Sequence, residues 1–113
     1  MAATIAWNDF DKVDLRVGTI VGVEDFPKAV KKAYKVWVDL GPELGIKASS
    51  AQITIQYSMT ELIDKQVICV CNFPPKQVAD FISEVLITGF ILEKGRVILA
   101  QPESLVPNGT RLA

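Results

Sequence analysis

Gln66-Val67-Ile68-Cys69-Val70-Cys71-Asn72-Phe73-Pro74-Pro75 opens the segment that organises the chain, which runs on through Lys76-Gln77-Val78-Ala79-Asp80-Phe81-Ile82 to Ser83-Glu84-Val85-Leu86-Ile87-Thr88-Gly89-Phe90. Val67 to Cys71 is apolar on both alternating faces, which is how a strand buried on both sides reads. It is the expected central strand of a sheet. Asn72 breaks the run, and Pro74-Pro75 cannot continue a ladder because neither donates a backbone N–H. The chain therefore leaves the sheet there and returns at Val85. The connection carries Phe73, Pro74, Pro75, Val78 and Phe81, a dense apolar load for a surface segment, and an apolar loop on a sheet rim points to a binding surface.

Working outward, Leu15, Val17, Thr19, Val21 and Val23 alternate with Arg16, Gly18, Ile20, Gly22 and Glu24, which predicts a long strand with the first set on its apolar face. Gly18 and Gly22, on the other face, permit the coiling or bulging by which small barrels close. Tyr34, Val36, Val38 and Leu40 form the inward face of a second strand, leaving Lys35, Asp39 and a partly exposed Trp37 outside. After a turn at Gly41-Pro42, Ile46 to Ile53 reads as a third strand whose small residues, Ala48 to Ala51, let a ligand or a partner subunit approach its backbone. Ser58 and Glu61 form a capping box with Tyr57 and Leu62 in the staple positions, so a short helix starts after Ser58. Val85 to Phe90 and Val97 to Ala100 read as a closing hairpin turned at Glu93-Lys94-Gly95, with Gly95 at positive φ. A brief helix around Asn8 to Asp11 precedes the first strand. Beyond Gln101 an extended arm is broken by Pro102, Pro107 and Asn108-Gly109. The pattern predicts an all-β, five-stranded OB-fold barrel of Greek-key type, one domain over residues 1–113 with an N-terminal helix in 1–14 and a C-terminal arm in 101–113.

At 113 residues, half of them hydrophobic, such a chain buries roughly two-thirds of its unfolded surface. The net charge of −1 excludes a generally basic polyanion binder, so any nucleic-acid site is a local patch. No apolar run approaches the roughly 18 residues that span a bilayer and the N-terminus lacks a basic leader, so the expected setting is the cytosol without membrane insertion. Histidine is absent, and Cys69 and Cys71 lie two apart on one strand face, a geometry for core packing rather than a disulfide or a metal cage. No metal or cofactor is expected, and without a nucleophile–base pair or a phosphate loop no enzyme can be assembled.

Two surfaces remain. Large rigid side chains near the sheet edge, Trp37, Phe73, Pro74, Pro75 and Phe90, beside the small Ser49 of the third strand, are the candidate peptide contacts, although Phe90 and Phe81 also suit the core. Lys28, Lys31, Lys32, Lys35, Lys47 and Lys76, with Arg16 on the outer side of the first strand, are the candidate phosphate contacts of an RNA-binding face. Leu105, Val106 and Leu112 would be wet on a lone barrel, so the arm is expected to pack on its own barrel and against a second copy in a two-fold dimer.

Phe10-Asp11-Lys12-Val13-Asp14-Leu15-Arg16-Val17-Gly18-Thr19-Ile20, Ile46 to Ile53, Lys65 to Val70, Asn72-Phe73-Pro74-Pro75, Ser83-Glu84-Val85-Leu86 and Val106-Pro107-Asn108-Gly109-Thr110 together resemble the tRNA-binding-domain family over nearly the whole chain from Phe10. More narrowly they are similar to its free-standing bacterial chaperone branch. The resemblance implies an OB-fold homodimer whose interface draws on the N-terminal helix and the arm, here Phe10, Leu105, Val106, Pro107 and Asn108. It also implies structure-specific tRNA binding in the wider family, and in the narrower branch the binding of unfolded or secretory preproteins on their way to the export machinery. Family members that bind tRNA as synthetase appendages commonly have glycine or alanine and then methionine where this chain has Val85-Leu86, and a less apolar loop in place of Phe73-Pro74-Pro75. Both departures favour the chaperone branch.

Overall fold

β1 (Leu15–Asp25) is the longest strand of the computed structural model, which describes residues 1–113. β2 (Tyr34–Asp39), β3 (Ile46–Ala51) and β4 (Gln66–Val70) follow, with the short helices α1 (Trp7–Asp11) before β1, α2 (Gly41–Leu44) between β2 and β3, and α3 (Met59–Leu62) between β3 and β4. β5 (Lys76–Val78) and β6 (Phe81–Ser83) make a hairpin, and β7 (Leu86–Ile87), β8 (Gly89–Ile91) and β9 (Val97–Leu99) complete the strands. The main sheet has the order β3-β2-β1-β4-β7, all antiparallel. β4 returns to lie beside β1, the Greek-key signature. The middle strand is thus β1 rather than β4, although β4 is buried on both faces as its sequence indicates. The sheet curls until the Glu84 and Val85 amides reach the Ala48 carbonyl of β3, at 2.8 and 3.2 Å, leaving a nearly closed five-stranded barrel, an OB fold.

A bulge decides which side of β1 faces the core. Ile20 pairs with Val38 and Gly22 with Trp37, so Val21 is an extra residue without a partner. Before the bulge Ile20 is fully buried in the core and Val21 is exposed, the reverse of the expected alternation, while beyond it Val23 packs against the core on the expected face. Gly18 shares the inner face: a Cβ there would lie 2.5 Å from Val38 Cγ1 and 2.8 Å from the Asp39 carbonyl oxygen, so β1 and β2 approach only because the side chain is absent. β2 follows the alternation, with Val36, Val38 and Leu40 joining Ile20, Leu62, Val67 and Cys69 in the core. Each buried aliphatic side chain of this kind contributes about 1.5–3 kcal/mol. Cys69 and Cys71 are free thiols, one buried in that core and one packed against it.

The capping box is formed: the Ser58 amide donates to Glu61 Oε1 at 2.6 Å and the Glu61 amide to Ser58 Oγ at 3.4 Å. It starts α3 so that Leu62 is driven into the core. The closing hairpin is split: β7 pairs with β4 and β8 with β9, and its turn holds Lys94 and Gly95 at positive φ. The C-terminal arm lies along β1 where β2 has diverged: the Val17 amide donates to the Thr110 carbonyl at 3.0 Å, and the Gly109 and Leu112 amides donate to the Val17 and Leu15 carbonyls at 2.8 Å each.

Candidate functional site

A groove runs beside β3, made of two adjoining cavities of about 790 and 730 Å³. Lys31, Ser50, Gln52 and Leu86 line both, so the two are continuous. The first is walled by Val30 and Ala33 from the β1–β2 loop, by Val78 of the hairpin, by Val85, and by Phe73 and Pro74. The second is walled by Ile53, Ile55, Ile87, Ile91 and Val97. Phe73, more than half exposed at 54%, is the groove's one aromatic residue. The groove exists because the chain leaves the sheet after β4, cannot resume a ladder at Pro74-Pro75, and runs out through β5 and β6 before it returns at Val85.

The candidate peptide contacts do not converge on one surface. Phe73 and Pro74 line the groove, while Pro75 turns into a smaller cavity of about 170 Å³ beside Cys71, Lys47 and Glu84. Trp37 stacks edge-on against Phe81 with ring centroids 5.9 Å apart, and Phe81 against Phe26 at 5.5 Å, so this cluster fastens the β5–β6 hairpin to the outer face of β2. Ser49 is 1% exposed and offers a ligand nothing. The small residues of β3 are approached instead by their own chain: the Ala48 amide donates to Glu84 Oε1 and the Ser50 amide to Ser83 Oγ, both at 3.0 Å. Phe90 lies on β8, 64% exposed and outside the groove, so it is not a core residue.

The cations sort by what holds them. Arg16 is bound by Asp14 and Glu43 at 2.9 Å each, and these hydrogen bonds hold its guanidinium further above its already high pKa, so its charge is satisfied within the chain. Lys28 pairs with Asp80 at 2.8 Å, a hydrogen bond that raises the ammonium pKa and lowers that of the carboxyl. Lys47 lies 3.7 Å from Glu84, and Lys35 Nζ sits 5.0 and 5.4 Å from the Phe26 and Phe81 ring centroids. Lys31, Lys32 and Lys76 are exposed, form no ion pair and line the groove.

The arm's residues divide in the same way. The Val106 backbone and the Asn108 side chain are tied to Gln66 and Thr19 of their own barrel, whereas Leu105 is exposed and Pro107 turns the chain by accepting from Thr110 Oγ1. Phe10 on α1 is exposed, as is its neighbour Trp7. Sequence reasoning passed over Val30 and Gln52, since a lone valine in a lysine loop and a glutamine ending a strand carry no pattern that marks a groove.

The chain matches the family model described as "Putative tRNA binding domain" over residues 15–111 and belongs to that family. Solved structures that it resembles include two chaperones. Its TM-score to the chaperone CsaA of Bacillus anthracis is 0.92 at 47% identity, covering 98% of this chain and 100% of that one. For the CsaA chaperone protein of Picrophilus torridus the TM-score is 0.89 at 48% identity, covering 97% and 100%. The methionine–tRNA ligase of Methanocaldococcus jannaschii is 35% identical over 102 residues, which is 90% of this chain and 15% of the ligase. The chain thus spans about one-seventh of the length of such curated relatives.

Proposed function

We propose that the protein is a non-enzymatic chaperone that works in the cytosol as a homodimer and holds apolar segments of unfolded or secretory preproteins in the groove beside β3. The observation that carries this reading is the groove's apolar lining, about half of its residues, which is almost wholly aliphatic in both cavities with Phe73 as its one ring. Such a wall suits branched aliphatic side chains, while single-stranded RNA needs successive aromatic platforms on which bases stack. The likeness to CsaA chaperones over the full length of those chains supports the same reading. Two equivalent grooves in a dimer would grip one extended client at two points and gain from effective concentration. The exposed apolar residues of α1 and the arm, Trp7, Phe10 and Leu105, supply material for the dimer contact.

A second reading, structure-specific tRNA binding, is favoured by the family and by the three lysines that line the groove without an ion-pair partner. Titration with a fluorescent apolar peptide and with unfractionated tRNA, each at two salt concentrations, separates the two. Peptide binding insensitive to salt, weakened at least about fivefold in Phe73→Ala, is the expected result. A micromolar or tighter tRNA complex that weakens steeply with salt, with no peptide complex, reverses the ranking.

A further inference from the structure

We infer that the groove takes its client as an added β-strand where the closed seam of β3 ends, beside Gln52, and that it selects extended segments in which apolar residues alternate with aspartate or glutamate. The inference rests on the peptide reading above.

The first support is the state of the β3 edge. The edge amides of Ala48 and Ser50 point away from β2, and side-chain oxygens of Glu84 and Ser83 satisfy them in place of a neighbouring strand. Together with the Glu84 and Val85 amides on the Ala48 carbonyl, these bonds close the barrel seam along its first half. At Gln52 the stitching stops. Its backbone N–H and C=O make no hydrogen bond within the chain, and the residue sits where the two cavities meet. An unpaired edge beside an apolar trough is the arrangement in which main-chain bonding holds a peptide while alternate side chains fill the trough.

The second support is charge. Lys31, Lys32 and Lys76 line the groove without partners, and Glu84 is the one carboxylate in its lining. That carboxylate is already engaged by the Ala48 amide and by Lys47. In a strand, successive side chains point to opposite faces, so a client with apolar residues toward the floor turns the residues between them toward the rim. Carboxylates there meet three free ammonium groups, while lysines meet like charge.

The test uses the full chain and four fluorescent peptides of about eight residues. Three alternate valine with aspartate, with serine or with lysine. The fourth is the aspartate peptide N-methylated at every second backbone amide, which blocks strand pairing on one edge. The aspartate peptide should bind about tenfold more tightly than the serine peptide and the lysine peptide more weakly than either; N-methylation should cost about tenfold or more, the worth of two or so main-chain hydrogen bonds. In Lys31→Glu/Lys32→Glu, two exposed positions whose change leaves the core untouched, the order of the aspartate and lysine peptides should invert. Equal binding of the aspartate and serine peptides, or of the methylated and unmethylated ones, overturns the inference and leaves the chaperone reading standing. Failure of all four to bind, with tRNA bound instead, overturns both.

Discussion

Gln66 and Val106 hydrogen-bond each other in both directions: Gln66 Nε2 donates to the Val106 carbonyl at 2.7 Å, and the Val106 amide donates to Gln66 Oε1 at 3.0 Å. Forty residues separate them, and the same Nε2 also reaches Asn108 Oδ1 at 3.2 Å. One nearly buried side chain at the start of β4 therefore fastens the arm across β1.

Replacing Gln66 with leucine keeps the bulk and strands the half-buried amide and carbonyl of Val106 in the arm. The expected loss is about 2–3 kcal/mol in chemical denaturation, with faster amide exchange over residues 106–112 than elsewhere. A variant as stable as the parent with a protected arm would show that this side chain does not hold the arm down.

Two glycines of β1 should respond differently to alanine. Gly18→Ala puts a Cβ 2.5 Å from Val38 Cγ1 and 2.8 Å from a backbone oxygen, so β1 and β2 must separate; the expected cost is about 2–3 kcal/mol or a failure to fold. Gly22→Ala meets Trp37 at an ordinary 3.4 Å and should stay within about 1 kcal/mol of the parent. Thermal unfolding of the pair gives the comparison directly, and equal midpoints would refute it.

Trp37→Ala removes the ring that Phe81 packs on, so it should lower stability by about 2 kcal/mol while leaving peptide affinity within about twofold. Phe73→Ala should do the reverse, weakening peptide binding at least about fivefold with little effect on stability. Peptide binding abolished by Trp37→Ala in a well-folded protein would move the site to the outer face of β2.

Burial pushes the Cys69 thiol up to about 12, and burial together with the nearby Asp14 carboxylate raises that of Cys71. Both are neutral near pH 8 and should react with a thiol reagent far more slowly in the native than in the denatured protein. The sign of the linkage follows. The unfolded thiol releases its proton near its ordinary value of 9.0 while folded Cys69 retains it to about 12, so stability is undiminished below pH 9 and falls as pH rises through that window. Cys69→Ala should flatten this alkaline slope in denaturation curves taken across it, and an unchanged slope would assign it to other groups.

Much of the barrel is written locally. The alternation of Tyr34 to Leu40, the capping box at Ser58 and Glu61, the positive φ at Gly95 and the chain reversal after Pro74-Pro75 each depend on a few adjacent residues, and each is formed as read. The bulge at Val21 is different, because it depends on how β1 and β2 pair after Gly18 brings them together, and it lets both Ile20 before it and Val23 after it reach the core. The site was legible in part: Phe73, Pro74, Lys31, Lys32 and Lys76 do line one groove. The other candidates were settled by partners far away in sequence. Asp14 and Glu43 hold Arg16, Phe81 covers Trp37, and the chain at Ser83 and Glu84 closes over the strand in which Ser49 is buried. Sequence alone determined the main strands, their turns and the residue types available for binding, since these follow from backbone geometry and side-chain period, while the β5–β6 hairpin lay hidden in what reads as a connection. Which of those residues remain free to bind was decided only by the tertiary structure, because an ion pair, a ring stack or a buried edge forms between elements that local patterning cannot bring together.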